Sequence, residues 1–139
     1  MTLPSISTRF AAGIIVLSCA GTAFAGQTST SVATGSAAYI NYCGSCHGPQ
    51  AKGDGPMAAV LTKKPSDLTT IAKRSGGKFP SDTVFRTIDG RNPVMGHGGQ
   101  NMPVWGDAFL RVQGGAPPDV VRARIDALVR YLETIQQKP

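Results

Sequence analysis

The clearest hydrophobic pattern lies near the C-terminus. Apolar residues recur there at spacings of 4, 3, 4 and 3, the period of an amphipathic α-helix, at Val121, Ile125, Leu128, Leu132 and Ile135. Pro117 and Pro118 precede this stripe and suit the first turn of a helix. The pattern therefore predicts a long final helix with one buried face.

Shorter helices are predicted upstream. Ser36, Ser66 and Ser81 each stand where a helix N-cap is expected, and Gly90 supplies a stop signal. The predicted helices span residues 37–42, 67–74, 82–89 and 105–112. Because no strand-like alternation and no internal repeat occurs, the predicted fold class is all-α, with long loops between the helices.

The first 25 residues are predicted to be a signal peptide. Arg9 supplies the positive charge, an apolar run follows from Phe10 to Phe24, and Ala23-Phe24-Ala25 matches a cleavage signal. The run falls short of the ~20 apolar residues that span a bilayer, which disfavours a retained anchor. Cys19 leaves lipid attachment open as an alternative.

Cleavage after Ala25 would leave residues 26–35, a Ser/Thr-rich segment predicted to be a flexible N-terminus, and one domain over residues 36–139. The protein is then expected in the periplasm, without stable membrane insertion. No residue pattern specifies an oligomeric state.

Charge and composition narrow the function. The chain carries a formal net charge of +6, and removing Arg9 leaves 14 − 1 = 13 basic against 8 acidic residues, or +5. No basic segment is interleaved with stacking aromatics, which disfavours nucleic acid as a partner. The moderate positive charge is typical of an exported protein that meets acidic protein surfaces or is simply kept soluble by its charge. With 17 Gly and 10 Pro the core is thin, and a large buried cofactor would supply apolar mass.

The two cysteines after the predicted cleavage site both lie in YCGSCHG, residues 42–48. Cys43, Cys46 and His47 form a Cys-x-x-Cys-His motif, which attaches c-type haem. Each thiol adds across one haem vinyl group, and the adjacent histidine then lies under the iron as its proximal ligand. The motif predicts one covalent haem c with its iron.

Other uses of the cysteines fit less well. A structural zinc site needs four ligands, and only His97 or a carboxylate would be left to complete it. A thioredoxin-like couple belongs beside a βαβ pattern, which is absent. A disulfide across two residues would close a tiny loop and stabilise little.

Over residues 36–137 the chain resembles the class I c-type cytochromes, in particular a bacterial periplasmic subgroup. The resemblance is carried by Tyr39, by Gly55-Pro56 after the motif, by a late Met102-Pro103 pair, and by Leu128 and Tyr131 in the last helix. It implies the cytochrome c fold, in which the first and last helices cross beside the haem. Tyr39 and its small neighbour Ala38 would then contact Leu128 and Tyr131.

The same resemblance implies further contacts around the haem. The Pro56 carbonyl would accept the Nδ1–H of His47, and Arg86, Arg91 and the Trp105 indole are candidate partners of the haem propionates. Each of the last three also fits a different role, as a surface charge or a core aromatic.

The distal iron ligand has three candidates, Met95, His97 and Met102, and spacing alone does not choose among them. Met102 is favoured because Pro103 stiffens the backbone beside it, and a weak thioether ligand needs a preorganised loop. Asn101-Met102-Pro103 also resembles the family's ligand pattern. Met95 otherwise fits as a packing residue, and His97 as a loop histidine.

The predicted function is one-electron transfer between redox proteins, without catalysis of its own. His/Met ligation fills both axial positions of the iron and raises its reduction potential. One alternative is a haem subunit of a larger dehydrogenase or oxidase. Another is a peroxidase or gas-binding protein with an open distal site, which the absence of an obvious distal acid–base pair disfavours.

Overall fold

The computed structural model describes residues 23–91, 102–112 and 115–138, in which helices are the only regular elements. They are α1 (Ala23–Tyr42), α2 (Gly44–His47), a 3₁₀ helix (Leu68–Thr70), α3 (Ile71–Arg74), α4 (Ser81–Asp89), α5 (Trp105–Arg111) and α6 (Pro118–Thr134). The all-α prediction is confirmed. The residues of the predicted signal peptide before Ala23, and the candidate ligands Met95 and His97, lie outside the described residues.

The final helix matches its prediction. Helix α6 begins with Pro118 in its first turn and buries Val121, Ile125, Leu128 and Leu132. Proline is tolerated there because the first N–H groups of a helix have no intrahelical acceptor. None of the helices in the described ranges is both long and apolar enough to cross a membrane.

The predicted start of the first helix at Ser36 is wrong. Helix α1 begins at Ala23, so the predicted flexible segment 26–35 forms helical turns that lead into Ser36. No proline interrupts this stretch, and the Thr34 hydroxyl donates to the Thr30 carbonyl one turn earlier at 2.9 Å. A Ser/Thr-rich composition therefore did not end the helix, because such side chains can bond to their own backbone.

Helices α1 and α6 cross in the largest helix–helix contact of the described residues. The rings of Tyr39 and Tyr131 lie 5.3 Å apart, as predicted, and Tyr39 is fully buried with its hydroxyl donating to the Gly48 carbonyl at 2.6 Å. Burial raises the pKa of Tyr39 well above its usual range. This bond ties the helix crossing to the loop that directly follows His47.

Gly35 sets how closely the two helices approach. A Cβ at this position would collide with the Ala127 carbonyl and would lie 2.9 Å from the Tyr131 Cβ. Glycine is ordinarily a poor helix residue, so its presence here reflects the closeness of the crossing.

Gly35→Ala is expected to destabilise the protein by about 2 kcal/mol. Overpacking of this kind costs up to about 3 kcal/mol, and the better helix propensity of alanine returns only about 1 kcal/mol. Denaturant unfolding followed by circular dichroism measures the change. Asn41→Ala, at an exposed position of the same helix, is the control. Equal stability of Gly35→Ala and the wild type would contradict the close crossing.

Candidate functional site

The Cys-x-x-Cys-His motif lies at the C-terminal end of α1. Cys43 interrupts the helix for one residue, yet its N–H still donates to the Tyr39 carbonyl at 2.8 Å, and α2 follows at once. Both cysteines are free thiols, Cys43 buried and Cys46 half-buried. Burial, followed by the nearby Cys46, raises the pKa of the Cys43 thiol to about 11.

His47 is held by a backbone carbonyl. Its Nδ1 lies 3.0 Å from the Ser66 oxygen, and because a carbonyl can only accept, Nδ1 carries the proton. Nε2 then keeps a free lone pair for a metal. Desolvation lowers the pKa of His47, against the opposing effect of the Ser66 hydrogen bond, so the imidazole is neutral near pH 7.

The prediction that the Pro56 carbonyl accepts the Nδ1–H of His47 is not met, because the Ser66 carbonyl accepts it. Pro56 is exposed, and the turn that contains it lies against the backbone of the motif: Gly55 N–H donates to the Cys46 carbonyl at 3.1 Å and Met57 N–H to the Ser45 carbonyl at 2.9 Å. This turn braces the chain between the cysteines, and Ser66 from the next loop reaches the imidazole.

The Ser66 carbonyl is itself well anchored. The next residue, Asp67, caps the 3₁₀ helix by accepting from the backbone N–H of Thr69 at 2.8 Å and from its hydroxyl at 2.6 Å. Its hydrogen bond to the Thr69 hydroxyl is the main cause that lowers the pKa of Asp67. From the far end of the chain, the Gln136 side-chain amide donates to the Leu68 carbonyl at 2.8 Å and accepts from Ala72 N–H at 2.9 Å.

A cavity of about 320 Å³ opens beside the motif. Cys43, His47 and Met102 all line it, so Met102 is brought to the same space as the motif. Its other lining residues are mostly apolar or hydroxyl-bearing: Ser66, Leu68, Ile71, Arg74, Ser75, Pro80, Thr83, Val84, Thr87, Ile88, Leu128 and Leu132. The cavity thus combines three kinds of metal-ligating side chain, cysteine, histidine and methionine, with apolar walls.

Arg86, Arg91 and Trp105 do not line this cavity. Arg86 is exposed on α4, and Arg91 forms an ion pair with Asp89 at 2.6 Å. Trp105 packs among aromatic rings, 5.7 Å from Tyr42 and 5.5 Å from Phe109 between centroids. Arg86 is thus a surface charge and Trp105 packs in an aromatic cluster, whereas the ion pair of Arg91 with Asp89 was not among the predicted alternatives.

Two functional features were missed from the sequence. One is the Ser66 carbonyl, which has no sequence signal because every residue carries a carbonyl group. The other is Arg74, which lines the cavity and whose guanidinium donates to the Asp67 carbonyl at 2.9 Å and to the Thr70 hydroxyl. In the sequence, Arg74 stands in a basic stretch with Lys73 and Lys78, and nothing there distinguishes a cavity residue from a surface charge.

The residues present fit a haem better than a zinc ion. Among residues 23–91, 102–112 and 115–138, no group of three or more His, Cys, Asp or Glu side chains is arranged to hold a metal. The apolar cavity walls, the free thiols and the neutral imidazole match the needs of a large flat cofactor attached through sulfur and ligated by nitrogen.

Comparison with known proteins agrees with this chemistry. The family model described as cytochrome c matches residues 32–136, which is most of the chain. Neither the curated proteins nor the solved structures that were compared gave a match. A cytochrome c domain implies covalently bound haem c with its iron, a role in electron transfer, and redox partners.

Proposed function

The chain belongs to the cytochrome c family, and from this premise we propose that it is a class I one-electron carrier with His47 and Met102 as the axial ligands of a single haem. Cys43 and Cys46 would hold the haem through thioether bonds. The observation that carries the proposal is that Cys43, His47 and Met102 line one largely apolar cavity.

Each of these residues has a distinct task. The cysteines would fix the position of the cofactor. The Ser66 carbonyl accepts the hydrogen bond from Nδ1–H of His47, which orients the ring and makes Nε2 a more basic ligand for the iron. Met102 contributes a soft, weak ligand, and Pro103 restricts the backbone beside it. When bound, the haem supplies a one-electron couple between ferric and ferrous iron.

The protein environment favours electron transfer over bond chemistry. Leu68, Ile71, Val84, Leu128 and Leu132 line the cavity and exclude water, which disfavours the more highly charged oxidised form and raises the potential. Arg74 is the cation on the cavity wall and is a candidate partner for a haem propionate. With both axial positions filled, a substrate cannot readily reach the iron.

The surface supports association with acidic redox proteins. The basic residues between positions 52 and 78 are all exposed: Lys52, Lys63, Lys64, Lys73, Arg74 and Lys78. Met57 and Val60, 46% and 72% exposed, lie in the turn that contacts the backbone of the motif. Basic residues around exposed apolar side chains suit transient docking to an acidic redox protein, and such charge-steered association is fast and weakens with salt. We further propose export through the signal peptide of residues 1–25 and function in the periplasm.

Spectra of the reduced protein with and without carbon monoxide test the proposal. A carrier with two permanent axial ligands is expected to stay low-spin in both redox states and to leave its spectrum unchanged under carbon monoxide. A high-spin ferrous form that binds carbon monoxide readily would instead favour the open distal site of a peroxidase or gas-binding protein.

A further inference from the structure

The segment between Arg91 and Val104 contains Met102, and its two ends meet in space. Gly90 ends α4 in the left-handed conformation, φ 68°, with its N–H donating to the Arg86 carbonyl at 2.9 Å. A Cβ on Gly90 would lie 3.2 Å from the Val104 Cα. The residues before and after the Met102 segment are thus in direct contact.

An ion pair lies at this junction. Arg91 donates to a single carboxylate oxygen of Asp89 through Nε at 2.9 Å and through one terminal nitrogen at 2.6 Å. The Asp89 side chain is only 10% exposed, and that of Arg91 is 35% exposed. The pair is therefore less exposed than the Arg122–Asp126 pair on α6, although the Arg91 guanidinium still reaches solvent.

The ion pair also contacts the first turn of α5. A Cβ on Gly106 would lie 2.5 Å from Arg91 Nε and would collide with the Asp89 carboxylate, so α5 approaches this closely only because residue 106 is glycine. Hydrogen bonding to Asp89, followed by the charges of Asp89 and of Asp107 in α5, raises the pKa of Arg91 against the effect of desolvation. Asp89 and Arg91 both precede the Met102 segment, and they contact the chain that follows it at Gly106.

The position of Asp89 is unfavourable for its own helix. It is the last residue of α4, where the helix dipole places partial negative charge and disfavours a carboxylate. A buried carboxylate at this place is therefore explained by its partner Arg91, two residues further on, and by the packing of α5 against the pair, and not by the end of α4.

We propose that the Asp89–Arg91 pair holds together the two ends of the Met102 segment and so keeps the Met102 thioether at the distal position. This role of Asp89 and Arg91 as positioning residues rests on the proposed ligation by Met102. In this role Arg91 binds Asp89 and not a haem propionate, the partner that the family resemblance suggested.

The test uses the haem-loaded full-length protein and two signals during titration with urea, an uncharged denaturant that does not screen the ion pair. The near-infrared Met–iron charge-transfer band of the oxidised protein reports ligation, and far-ultraviolet circular dichroism reports the helices. The variants are Asp89→Asn, Arg91→Gln, their double variant, and Gly106→Ala, which drives a methyl group into the pair. Asp126→Asn is the matched control, since it breaks the exposed Arg122–Asp126 pair of 3.8 Å on α6 and leaves the Arg122 guanidinium in place over the Phe85 ring of α4.

In each single variant we expect the equilibrium constant for loss of the band to rise about tenfold, because hydrogen bonds to charged groups contribute more than neutral ones. Band loss should precede helix unfolding, as in a local opening. The double variant should be hardly worse than Asp89→Asn alone, since one interaction is removed. Arg91→Lys, which keeps the charge, should recover part of the loss.

Other results overturn the proposal. Suppose that the band is present but the variants behave like Asp126→Asn, or that the band and the helices are lost at the same urea concentration. The pair then does not position Met102, while ligation by Met102 stands. If the wild type has no band, ligation by Met102 fails as well. Should Arg91→Gln not fold, the isosteric Asp89→Asn and the milder Arg91→Lys decide the question with the same two signals.

Discussion

The Cys43→Ala/Cys46→Ala double variant, prepared without haem, is expected to lose the helical fold of the wild type. The haem site is built into the core: α4, α6 and the loop around Ser66 face one another across a cavity of about 320 Å³. At roughly 24 cal/mol per Å³, leaving it empty would cost at most on the order of 8 kcal/mol. That is comparable to the whole stability of a small domain, about 5–15 kcal/mol.

The measurement is far-ultraviolet circular dichroism with thermal unfolding, beside a haem stain of the denatured chain to record covalent attachment. Ser45→Ala, between the two cysteines at an exposed position, is the control and should keep both the haem and the fold. Wild-type helicity and an unchanged unfolding midpoint in the haem-free double variant would show that the core stands without the cofactor.

Met102→Ala is expected to abolish the near-infrared charge-transfer band and to lower the reduction potential substantially. A methyl group cannot ligate iron, and loss of the thioether removes a ligand that stabilises the ferrous form. Axial ligands shift haem potentials over a range of about 0.8 V, so the change should be large beside that of any surface substitution. The ferrous variant should also acquire carbon monoxide binding through its open position.

Met57→Ala is the matched control for this experiment. Met57 is also a methionine, but it is 46% exposed and does not line the cavity, so its removal should leave the band and the potential unchanged. A band that survives in Met102→Ala would point to Met95 as the ligand. A band missing from the wild type would point to His97 or to an open site.

Much of this architecture could be predicted from local sequence signals. The stripe of α6 specified a buried face because a helix brings every third or fourth residue to one side. Gly90 ended α4 as expected, since glycine adopts a positive φ without steric cost. Short-range rules failed at the start of α1, where serine and threonine side chains are compatible with both a cap and a continuing helix.

The chain by itself determined the chemistry of the site: Cys43, Cys46 and His47 are adjacent, and their spacing alone predicts a covalently attached haem. The tertiary structure decided which distant groups surround them. Ser66 took the place predicted for Pro56, Arg74 was brought to the cavity, and Asp89 and Arg91 met the first turn of α5. The number of residues between two such partners does not determine how far apart they lie in space. The contacts are set by how the loops close and by which backbone groups are left to be paired once the helices have packed.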